Sequence, residues 1–468
     1  MSYQLLIDGN LVAGAKSLDV INPATGKVLA TAPRADEAQA NQAVAAARRA
    51  FGPWSKLGYA DRRVYLERLA SAIEAREGEF ARLLTQENGK PLGQAKGEIA
   101  RAFAGLRYFA AQEIAPKILR ETEAERIIEQ RYPLGVVAAI TPWNFPMTLL
   151  IFKIAPALIT GNTVIAKPAP STPLTTLLLG EIAASILPAG VFQTIVDQHD
   201  LGSLLTSHPD VAHVSFTGST ATGKKVVGST ADTLKRFTLE LGGNDVAIVL
   251  DDVNVATVGP KIFQSAMMNA GQICFATKRV YVPRSMIDGF CDALGRLARE
   301  AKVGDGLLPD TTIGPIQNRA QYDKVVAFID EAKTEGTLVA GGEKIAGEGF
   351  FVAPTIFRDL PDTAPLVREE QFGPVLPILA YDDLDDAVAR ANNSRYGLGG
   401  SIWTSNPQRG IEVASRIESG TVWVNRHLAL PFDVPFGGAK QSGIGRQLGL
   451  EGLEDLTEVR IVNASMAP

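Results

Sequence analysis

The chain has 468 residues, of which 46% are apolar and 21% charged, and it contains 44 glycines. A chain of this length is too long for a single hydrophobic core, which predicts about two to four domains. The composition is typical of a globular α/β enzyme. The formal net charge is only −5, with acids and bases interspersed, so no basic surface favours nucleic acid or anionic lipid. We therefore expect neither nucleic acid nor a membrane as a partner.

Cysteine and histidine usage indicates a reducing compartment and no metal. Cys274 and Cys291 are too few for a disulfide framework in a chain of this size. The four histidines are not spaced as metal ligands with cysteine or carboxylates. Residues 1–10 lack the basic and apolar segments of a secretory signal and instead predict a strand that runs into an Asp-Gly turn. These features favour a cytoplasmic protein.

Along the chain, a helical pattern comes first. From 36 to 89, apolar residues recur at three- and four-residue spacing, which predicts two amphipathic helices. Beyond Leu134, short apolar runs alternate with helical stretches, the pattern of a parallel, doubly wound sheet. The most apolar stretch, 148–166, contains a lysine, a proline and a glycine, which favours a buried helix and strand over a membrane span. The predicted strands are 136–140, 163–167, 191–196, 213–217, 237–241 and 245–250.

A second α/β unit is predicted after Asn254. Its helical patterns occupy 255–271, 285–301 and 319–334, and its strand patterns occupy 279–282, 400–403 and 421–425. No internal repeat or low-complexity segment separates the two units, so any domain boundaries fall in ordinary loops.

A near match to a phosphate-binding P-loop follows the strand 213–217. Its glycines and first lysine have the required spacing, but Lys225 stands where serine or threonine would bind magnesium, which disfavours a nucleoside triphosphatase. What remains is a helix beginning at Ser219, whose backbone N–H groups and dipole would attract a phosphate or pyrophosphate. Helix capping by Ser219 explains the residue equally well.

Two more polar residues follow predicted strands. Lys167 lies at the carboxyl edge of the sheet, where open sheets bind ligands, and it would meet a ribose or phosphate or simply be solvated. Asn144, between two prolines, is either a rigid oxyanion donor or a turn residue. No G-x-G-x-x-G follows a predicted strand, so a dinucleotide would bind without the ordinary Rossmann fingerprint.

Glu240 and Cys274 are a candidate base and nucleophile. Glu240 precedes Leu-Gly-Gly, and Cys274 follows Gly-Gln-Ile. Either residue alone is equally compatible with a structural role, because a free cysteine usually behaves as a small buried hydrophobe. Cys291 lies in the middle of a predicted helix and is expected to be structural.

Seven motifs in order closely resemble those of the aldehyde dehydrogenase superfamily over nearly the whole chain. They are P-W-N-F-P at 142–146, K-P at 167–168, F-T-G-S at 216–219, E-L-G-G at 240–243, G-Q-I-C at 271–274, E-Q-F-G-P at 370–374 and P-F-G-G at 435–438. The resemblance implies an α/β fold of two doubly wound domains and a small β oligomerisation element, in a homodimer or homotetramer. The implied ranges are 1–115 and 134–243 for the cofactor domain, 244–440 for the catalytic domain, and 116–133 and 441–468 for the oligomerisation hairpin and C-terminal tail.

The same resemblance implies NAD(P)-dependent oxidation of an aldehyde to the carboxylic acid through a cysteine thiohemiacetal and thioester. Cys274 would attack, Asn144 and the backbone N–H of Cys274 would hold the oxyanion, and Glu240 would activate water. The residues implied for NAD, or for NADP, are Trp143, Lys167 at the adenosine ribose, Gly218, Ser219 at the pyrophosphate, Glu370 at the nicotinamide ribose and Phe372. The residues implied for the aldehyde are apolar and favour an aliphatic or aromatic substrate: Phe145, Phe152, Ile273, Phe275 and Phe436.

Three alternatives concern the substrate and the reaction. Arg426 and His427 would bind the acidic tail of a semialdehyde, or would face solvent or an interface. A CoA-acylating enzyme is the nearest rival, although Glu240 favours hydrolysis, and an assay of CoA dependence would distinguish the two. A non-catalytic binding protein on the same fold is disfavoured because cysteine, glutamate and asparagine are all present. Gln447 stands where the family's usual Gly-Arg-Glu has a glutamate, a carboxylate sometimes placed on a proton exit path, so proton release from Glu240 would use water alone.

Pro170 stands three residues after Lys167, where many relatives carry a glutamate that binds ribose hydroxyls and repels a 2′-phosphate. Without that carboxylate, we expect NAD as the default cofactor with appreciable use of NADP. Steady-state assays with one aldehyde should give comparable kcat/KM for the two. A preference for NAD above about a thousandfold, roughly 4 kcal/mol, would contradict this expectation.

Overall fold

The computed structural model describes residues 3–466, so the predicted ranges that extend to 1–2 and 467–468 end outside the described residues. Two large sheets dominate the architecture, one of eight strands and one of seven. Helices cover both sheets, and central parallel strands such as Val136–Ile140 and Thr277–Pro283 are wholly buried, as expected for parallel sheets, whereas edge strands such as Asn10–Val12 are partly exposed. The α/β class predicted from the alternation of elements is confirmed.

The eight-stranded sheet has five parallel central strands and antiparallel edge strands. Five of the six strands predicted between 136 and 250 occur in it within two residues of their predicted limits, whereas the sixth, 245–250, forms Asp245–Val249 of the seven-stranded sheet, so its assignment to the first unit was wrong. In sheet order the strands are Asn10–Val12, Leu5–Ile7, Phe192–Thr194, Thr163–Lys167, Val136–Ile140, Val211–Thr217, Arg236–Glu240 and Gly443–Ile444. The helices of this half are Glu37–Ser55, Tyr59–Ala75, Glu77–Asn88, Leu92–Ala110, Pro146–Ile159, Leu174–Ala184, Gly202–Ser207 and Thr220–Thr230.

The segment from 36 to 89 forms three helices, so the prediction of two was wrong. The second helix begins after Gly58, whose N–H donates to the Asp61 carboxylate at 3.3 Å. It ends at Arg76, where the backbone leaves helical geometry at φ −113° and ψ 18° before the next helix starts at Glu77. The apolar spacing continues across this break because both helices bury their faces in the same core.

The seven-stranded sheet is parallel except at one edge. In sheet order its strands are Thr337–Ala340, Thr355–Arg358, Val375–Tyr381, Thr277–Pro283, Asp245–Val249, Gly399–Trp403 and Thr421–Val424. Its helices are Val255–Met267, Ile287–Glu300, Arg319–Glu335, Pro365–Arg368, Leu384–Asn392 and Pro407–Ala414. Short 3-10 turns occur at Ala231–Thr233, Met268–Gly271 and Arg284–Met286.

A separate three-stranded antiparallel sheet carries the C-terminal strand. Thr457–Ser465 pairs with Glu125–Pro133 along its whole length, and Glu125–Pro133 pairs in turn with Lys117–Glu121. The remaining strands form two small pairs, Lys16–Asn22 with Lys27–Arg34 and Tyr396–Gly397 with Ala439–Lys440, and a short helix spans Gly449–Glu454. Between residues 3 and 466, no helix is both long and apolar enough to cross a bilayer.

The two large sheets are joined by a short crossing that determines where the site forms. The strand Arg236–Glu240 belongs to the first sheet and Asp245–Val249 to the second, with only 241–244 between them. The parallel strands of the first sheet all end at one edge, so the loops after Ile140 and Thr217 emerge beside Glu240. Polar residues from distant segments therefore converge between the sheets.

Candidate active site

Two cavities meet at Cys274. The first has a volume of about 180 Å³ and is lined by five of the predicted cofactor residues: Trp143, Gly218, Ser219, Glu370 and Phe372. The second has a volume of about 410 Å³ and is lined by Glu240 and all five predicted aldehyde residues: Phe145, Phe152, Ile273, Phe275 and Phe436. Asn144, Thr217 and Cys274 line both cavities, so the thiol lies at their junction.

The backbone before Cys274 is not the continuous helix that the pattern from 255 to 271 predicts. The helix ends at Met267, and Asn269 and Ala270 then adopt left-handed conformations at φ 52° and 53°. Gly271 follows at φ 71°, where a Cβ would lie 2.2 Å from the carbonyl oxygen of Gly373. This close approach requires glycine and turns the chain so that Cys274 reaches the cavities.

Buried side chains hold that turn in place. Gln272 is fully buried; its Nε2 donates to the Asn269 carbonyl at 2.8 Å, and its Oε1 accepts from the Gln317 N–H at 2.9 Å. The Lys278 ammonium donates to the carbonyl of Ile273, immediately before the cysteine. These contacts are all made with other groups of the protein, so the fold itself holds the loop in its conformation.

The Cys274 thiol is in its neutral form at rest. Burial raises its pKa above the usual value, and the negative charge of Glu370 raises it further, whereas the positive charge of Lys278 opposes the rise. Burial in turn lowers the pKa of Lys278. A thiol with a raised pKa needs a nearby base or a bound electrophile before it can react.

Glu240 ends the strand Arg236–Glu240 and is buried with neither carboxylate oxygen hydrogen-bonded to any described residue. Burial raises its pKa to about 8, although the positive charges of Lys153 and Arg446 oppose the rise. Lys153 is itself buried, which lowers its pKa to about 7, and its Nζ donates to Thr217 Oγ1 at 2.8 Å. An unpaired carboxyl that titrates near neutral pH beside a cavity is suited to proton transfer.

Asn144 is fixed through both its side chain and its backbone. Its Nδ2 donates one N–H to the Gln272 carbonyl at 2.9 Å, while its own carbonyl accepts from Lys90 Nζ at 2.9 Å and Asn269 Nδ2 at 3.1 Å. The second N–H of the amide has no acceptor among the described residues. It is therefore available to an oxygen in either cavity.

A buried ion pair supports the loop that carries Asn144. The Lys90 ammonium pairs with the Glu98 carboxylate, and both side chains are inaccessible to solvent. The other oxygen of Glu98 accepts from the backbone N–H groups of Met147 at 3.0 Å and Thr148 at 3.2 Å, at the start of the helix Pro146–Ile159. The carboxylate thus caps a helix N-terminus and neutralises a lysine at the same time.

The first cavity combines a helix N-terminus, a carboxylate and an aromatic wall. The Ser219 Oγ accepts a hydrogen bond from the Thr222 N–H at 3.2 Å and so caps the helix Thr220–Thr230. Ser219 therefore caps this helix and also lines the cavity. Glu370 accepts from the Gly243 N–H at 3.0 Å, and a Cβ on Gly242 would lie 2.4 Å from its carboxylate. The rings of Trp143 and Phe372 meet edge to face, with centroids 5.3 Å apart.

Lys167 lines neither of the two cavities. Its Nζ lies 2.5 Å from the carboxylate of Asp197, and both side chains are buried. Asp197 also accepts from the Leu201 N–H at 3.1 Å. Lys167 is therefore a paired lysine rather than the free cation expected at a strand end, and its contact with a ribose stays a prediction.

The His427 ring lies near the site and is neutral. The ring of His427 is buried with its Nε2 2.7 Å from the Phe275 carbonyl oxygen, and burial lowers its pKa to about 4. The His427 side chain has no contact with solvent, so the expectation that it faces solvent was wrong, whereas its contact with a substrate tail or an interface stays a prediction. Arg426 beside it is exposed. Within residues 3–466, no group of three or more His, Cys, Asp or Glu side chains is placed to hold a metal ion.

Comparison with known proteins identifies the family. Residues 11–462 match the model of the aldehyde dehydrogenase family. The chain belongs to this family. It is 38% identical over 474 residues to a betaine aldehyde dehydrogenase of Rhizobium leguminosarum bv. trifolii, covering 99% of this chain and 97% of that one.

Two solved aldehyde dehydrogenases share the fold throughout. The NAD+ complex of the Bacillus cereus aldehyde dehydrogenase has a TM-score of 0.97 and 37% identity, and the match covers 99% of this chain and 97% of that one. The betaine aldehyde dehydrogenase of Staphylococcus aureus, also solved with NAD+, has a TM-score of 0.97 and 32% identity, with coverage of 100% and 96%. The predicted fold class and the oxidoreductase assignment are confirmed for this aldehyde dehydrogenase.

Several charged residues of the aldehyde dehydrogenase site escaped the sequence interpretation. Lys153 belongs to no motif and only interrupts an apolar stretch of the sequence, although a lysine within an otherwise buried helix signals a functional or paired charge. Lys278 lies in a strand whose seven residues are all buried, which is the same signal. The Lys90–Glu98 pair and Arg101, which lines the second cavity, lie in ordinary amphipathic helical sequence and give no such signal.

Alkylation of Cys274 by iodoacetamide tests the electrostatics of the junction. Because the thiol pKa is raised, we expect the rate to increase about tenfold per pH unit from pH 7 to pH 9 without a plateau. Glu370→Gln removes a negative charge that raises this pKa, so alkylation at a given pH should be faster. Peptide mass spectrometry of Cys274 measures the rate.

Glu369→Gln is the matched control for this experiment. Glu369 is adjacent in sequence but pairs with Arg395 at the surface, so its charge is screened and the alkylation rate should stay at the wild-type value. A plateau below pH 9 in the wild type would show that the thiol pKa is not raised. Equal rates in the two variants would show that Glu370 has no electrostatic effect on the thiol.

Proposed function

We propose that this enzyme oxidises an aldehyde to its free carboxylic acid with NAD as the hydride acceptor and appreciable use of NADP. The observation that carries the proposal is the position of Cys274 at the junction of the two cavities, with Asn144 beside it and Glu240 on the second cavity. The aldehyde would enter the second cavity and the nicotinamide the first. The Bacillus cereus and Staphylococcus aureus enzymes were solved with NAD+, which supports this cofactor for the present chain.

The first cavity has the groups that a dinucleotide needs. The N-terminus of the helix Thr220–Thr230 offers backbone N–H groups to a pyrophosphate, and the Glu370 carboxylate offers an acceptor to ribose hydroxyls. Gly242 leaves room that a Cβ would fill, and Trp143 and Phe372 provide an aromatic wall. When bound, NAD supplies the nicotinamide ring that accepts a hydride.

In the first half of the reaction, Cys274 Sγ attacks the aldehyde carbon, and the thiol proton leaves to water. The free N–H of the Asn144 amide and the backbone N–H of Cys274 donate to the carbonyl oxygen as it gains negative charge. These donors are held before the aldehyde arrives, because Gln272 and Lys90 fix Asn144. Loss of hydride from the thiohemiacetal carbon leaves a thioester on the cysteine.

In the second half, Glu240 removes a proton from water as the water oxygen attacks the thioester carbon. The carboxylate has no competing hydrogen bond from the described residues, so its lone pairs are free for that water. The cysteine sulfur then leaves, and the positive charge of Lys278 favours its anionic form. Overall, the aldehyde carbon loses a hydride to NAD and gains the oxygen of one water, and one proton is released.

Glu240→Gln should separate the two halves. Since the amide cannot take a proton from water, we expect an initial burst of NADH. The steady-state turnover that follows should be about 10²–10⁴-fold slower than that of wild type. Cys274→Ala should abolish both the burst and the turnover. Rapid-mixing absorbance at the NADH band measures both phases.

The pH dependence of the same assay provides a second readout. With the Glu240 pKa raised to about 8, the wild-type turnover should fall as pH drops through 8, because the protonated acid cannot act as a base. In Glu240→Gln, the turnover should no longer fall as the pH drops through 8. An undiminished steady-state rate in Glu240→Gln would overturn the role of Glu240 in hydrolysis.

We also propose that the three-stranded sheet joins copies of the chain into a homodimer or homotetramer. Its strands expose apolar side chains that a monomer would leave in water: Ile118 at 49%, Leu119 at 46%, Val459 at 41% and Ile461 at 51%. The strand Lys117–Glu121 also forms a free edge of this sheet. Both features favour burial against a second copy.

Ile461→Lys tests this interface. A lysine at the centre of a buried apolar contact would be desolvated, so light scattering should show a smaller particle than for wild type. Leu308→Lys is the control, because Leu308 is exposed at 59% but lies outside this sheet. A wild-type monomer, or an unchanged mass in Ile461→Lys, would contradict the proposal.

A further inference from the structure

A single basic residue lines the second cavity. Arg101, on the helix Leu92–Ala110, is the only lysine or arginine among the lining residues, which are otherwise mostly apolar. Its guanidinium carbon lies 4.4 Å from the ring centroid of Phe432 and 5.3 Å from that of Phe152. The two aromatic faces and a hydrogen bond from Nη2 to the Leu430 carbonyl hold the cation at the cavity wall.

This cation has no anionic partner among the described residues. None of the ion pairs formed by residues 3–466 includes Arg101, although most arginines of this chain have a carboxylate within 4.0 Å. Glu98 lines the same cavity, but its two oxygens are occupied by Lys90 and by the N–H groups of Met147 and Thr148. Burial lowers the pKa of Arg101, which reflects the cost of leaving this charge without a partner.

The remaining charge on the cavity wall does not compensate Arg101. Glu240 also lines the cavity, but it lies beside the positive charge of Lys153, and its pKa of about 8 leaves it largely protonated at neutral pH. The guanidinium therefore presents unused N–H donors to the cavity. Planar donors of this kind match a carboxylate, which accepts two parallel hydrogen bonds from them.

We propose that Arg101 binds a carboxylate at the end of the substrate remote from the aldehyde, so that the preferred substrate is an ω-carboxy aldehyde. This inference rests on the proposed aldehyde oxidation at Cys274. The cation should also disfavour betaine aldehyde, the substrate for which the Rhizobium and Staphylococcus relatives are named. A trimethylammonium group would be repelled by Arg101 and would find the faces of Phe152 and Phe432 already occupied by the guanidinium.

The test compares kcat/KM for 5-oxopentanoate, pentanal and betaine aldehyde. Pentanal has the same chain length as 5-oxopentanoate but no carboxylate, so the ratio of the two kcat/KM values isolates the effect of the carboxylate. We expect wild type to prefer 5-oxopentanoate to pentanal by at least about tenfold and to use betaine aldehyde least. In Arg101→Met, which keeps an unbranched stem, the ratio of 5-oxopentanoate to pentanal should fall at least about tenfold, chiefly through KM.

Arg107→Met is the matched control, because Arg107 lies on the same helix but pairs with Glu74 at the surface. It should keep the wild-type ratio. Arg101→Lys, which keeps the charge but not the planar fork, should restore part of the preference. Equal use of 5-oxopentanoate and pentanal by wild type, or an unchanged ratio in Arg101→Met, would overturn the inference.

Calorimetry with glutarate separates failure of this inference from failure of the proposed oxidation. Glutarate carries the remote carboxylate but no aldehyde, so its binding does not depend on chemistry at Cys274. Binding to wild type that weakens at least about tenfold in Arg101→Met would support the carboxylate site even if no aldehyde were oxidised. Absence of glutarate binding, together with no preference for 5-oxopentanoate, would remove the site while leaving aldehyde oxidation intact.

Discussion

Removal of ionisable groups from water is the constraint on which this site depends. Glu240 and Cys274 lie between two sheets, where burial raises the pKa of both. The same burial lowers the pKa of Lys153 and Lys278, whose positive charges oppose the rise. With pKa values of about 8 and about 7, Glu240 and Lys153 are poised so that a small change in their surroundings moves a proton, whereas the Cys274 thiol stays protonated at neutral pH. This property suits a reaction in which the cysteine must lose a proton and the glutamate must later accept one.

Such a site requires loops that do not relax around the buried charges. Three polar anchors provide this rigidity: Glu98 caps the helix that follows Asn144, Gln272 fixes the turn before the cysteine, and Glu87 caps the helix Leu174–Ala184 through Leu174 and Thr175. Each anchor also connects segments at least 45 residues apart, because Gln272 accepts a hydrogen bond from Gln317 in addition to its local contact. A displacement of one loop would leave a buried charge or amide unpaired, which costs about 1–3 kcal/mol for each group. The stability of the fold and the placement of the proposed catalytic groups are therefore coupled.

The elements predicted most accurately were those whose signal is local. Strands such as Val136–Ile140 and Thr163–Lys167 are short apolar runs between turn residues, and their limits agree with the prediction. Errors arose where a periodic pattern continued through a change of backbone direction, at Arg76 and after Met267. At Met267, contacts with Gly373 and Gln317 determine the turn, and neither is close in sequence.

The sequence by itself determined the fold class, the family and the chemical identity of the candidate groups, because motif spacing and apolar periodicity are properties of neighbouring residues. Only the tertiary structure decided which groups are buried, paired or free. Lys167 is paired by Asp197, and His427 is buried and neutral. Arg101, which no motif marks, lines the second cavity and forms no ion pair with any described carboxylate. The contacts that bury or pair these residues join segments from 30 to 329 residues apart, so composition and spacing carry no record of them.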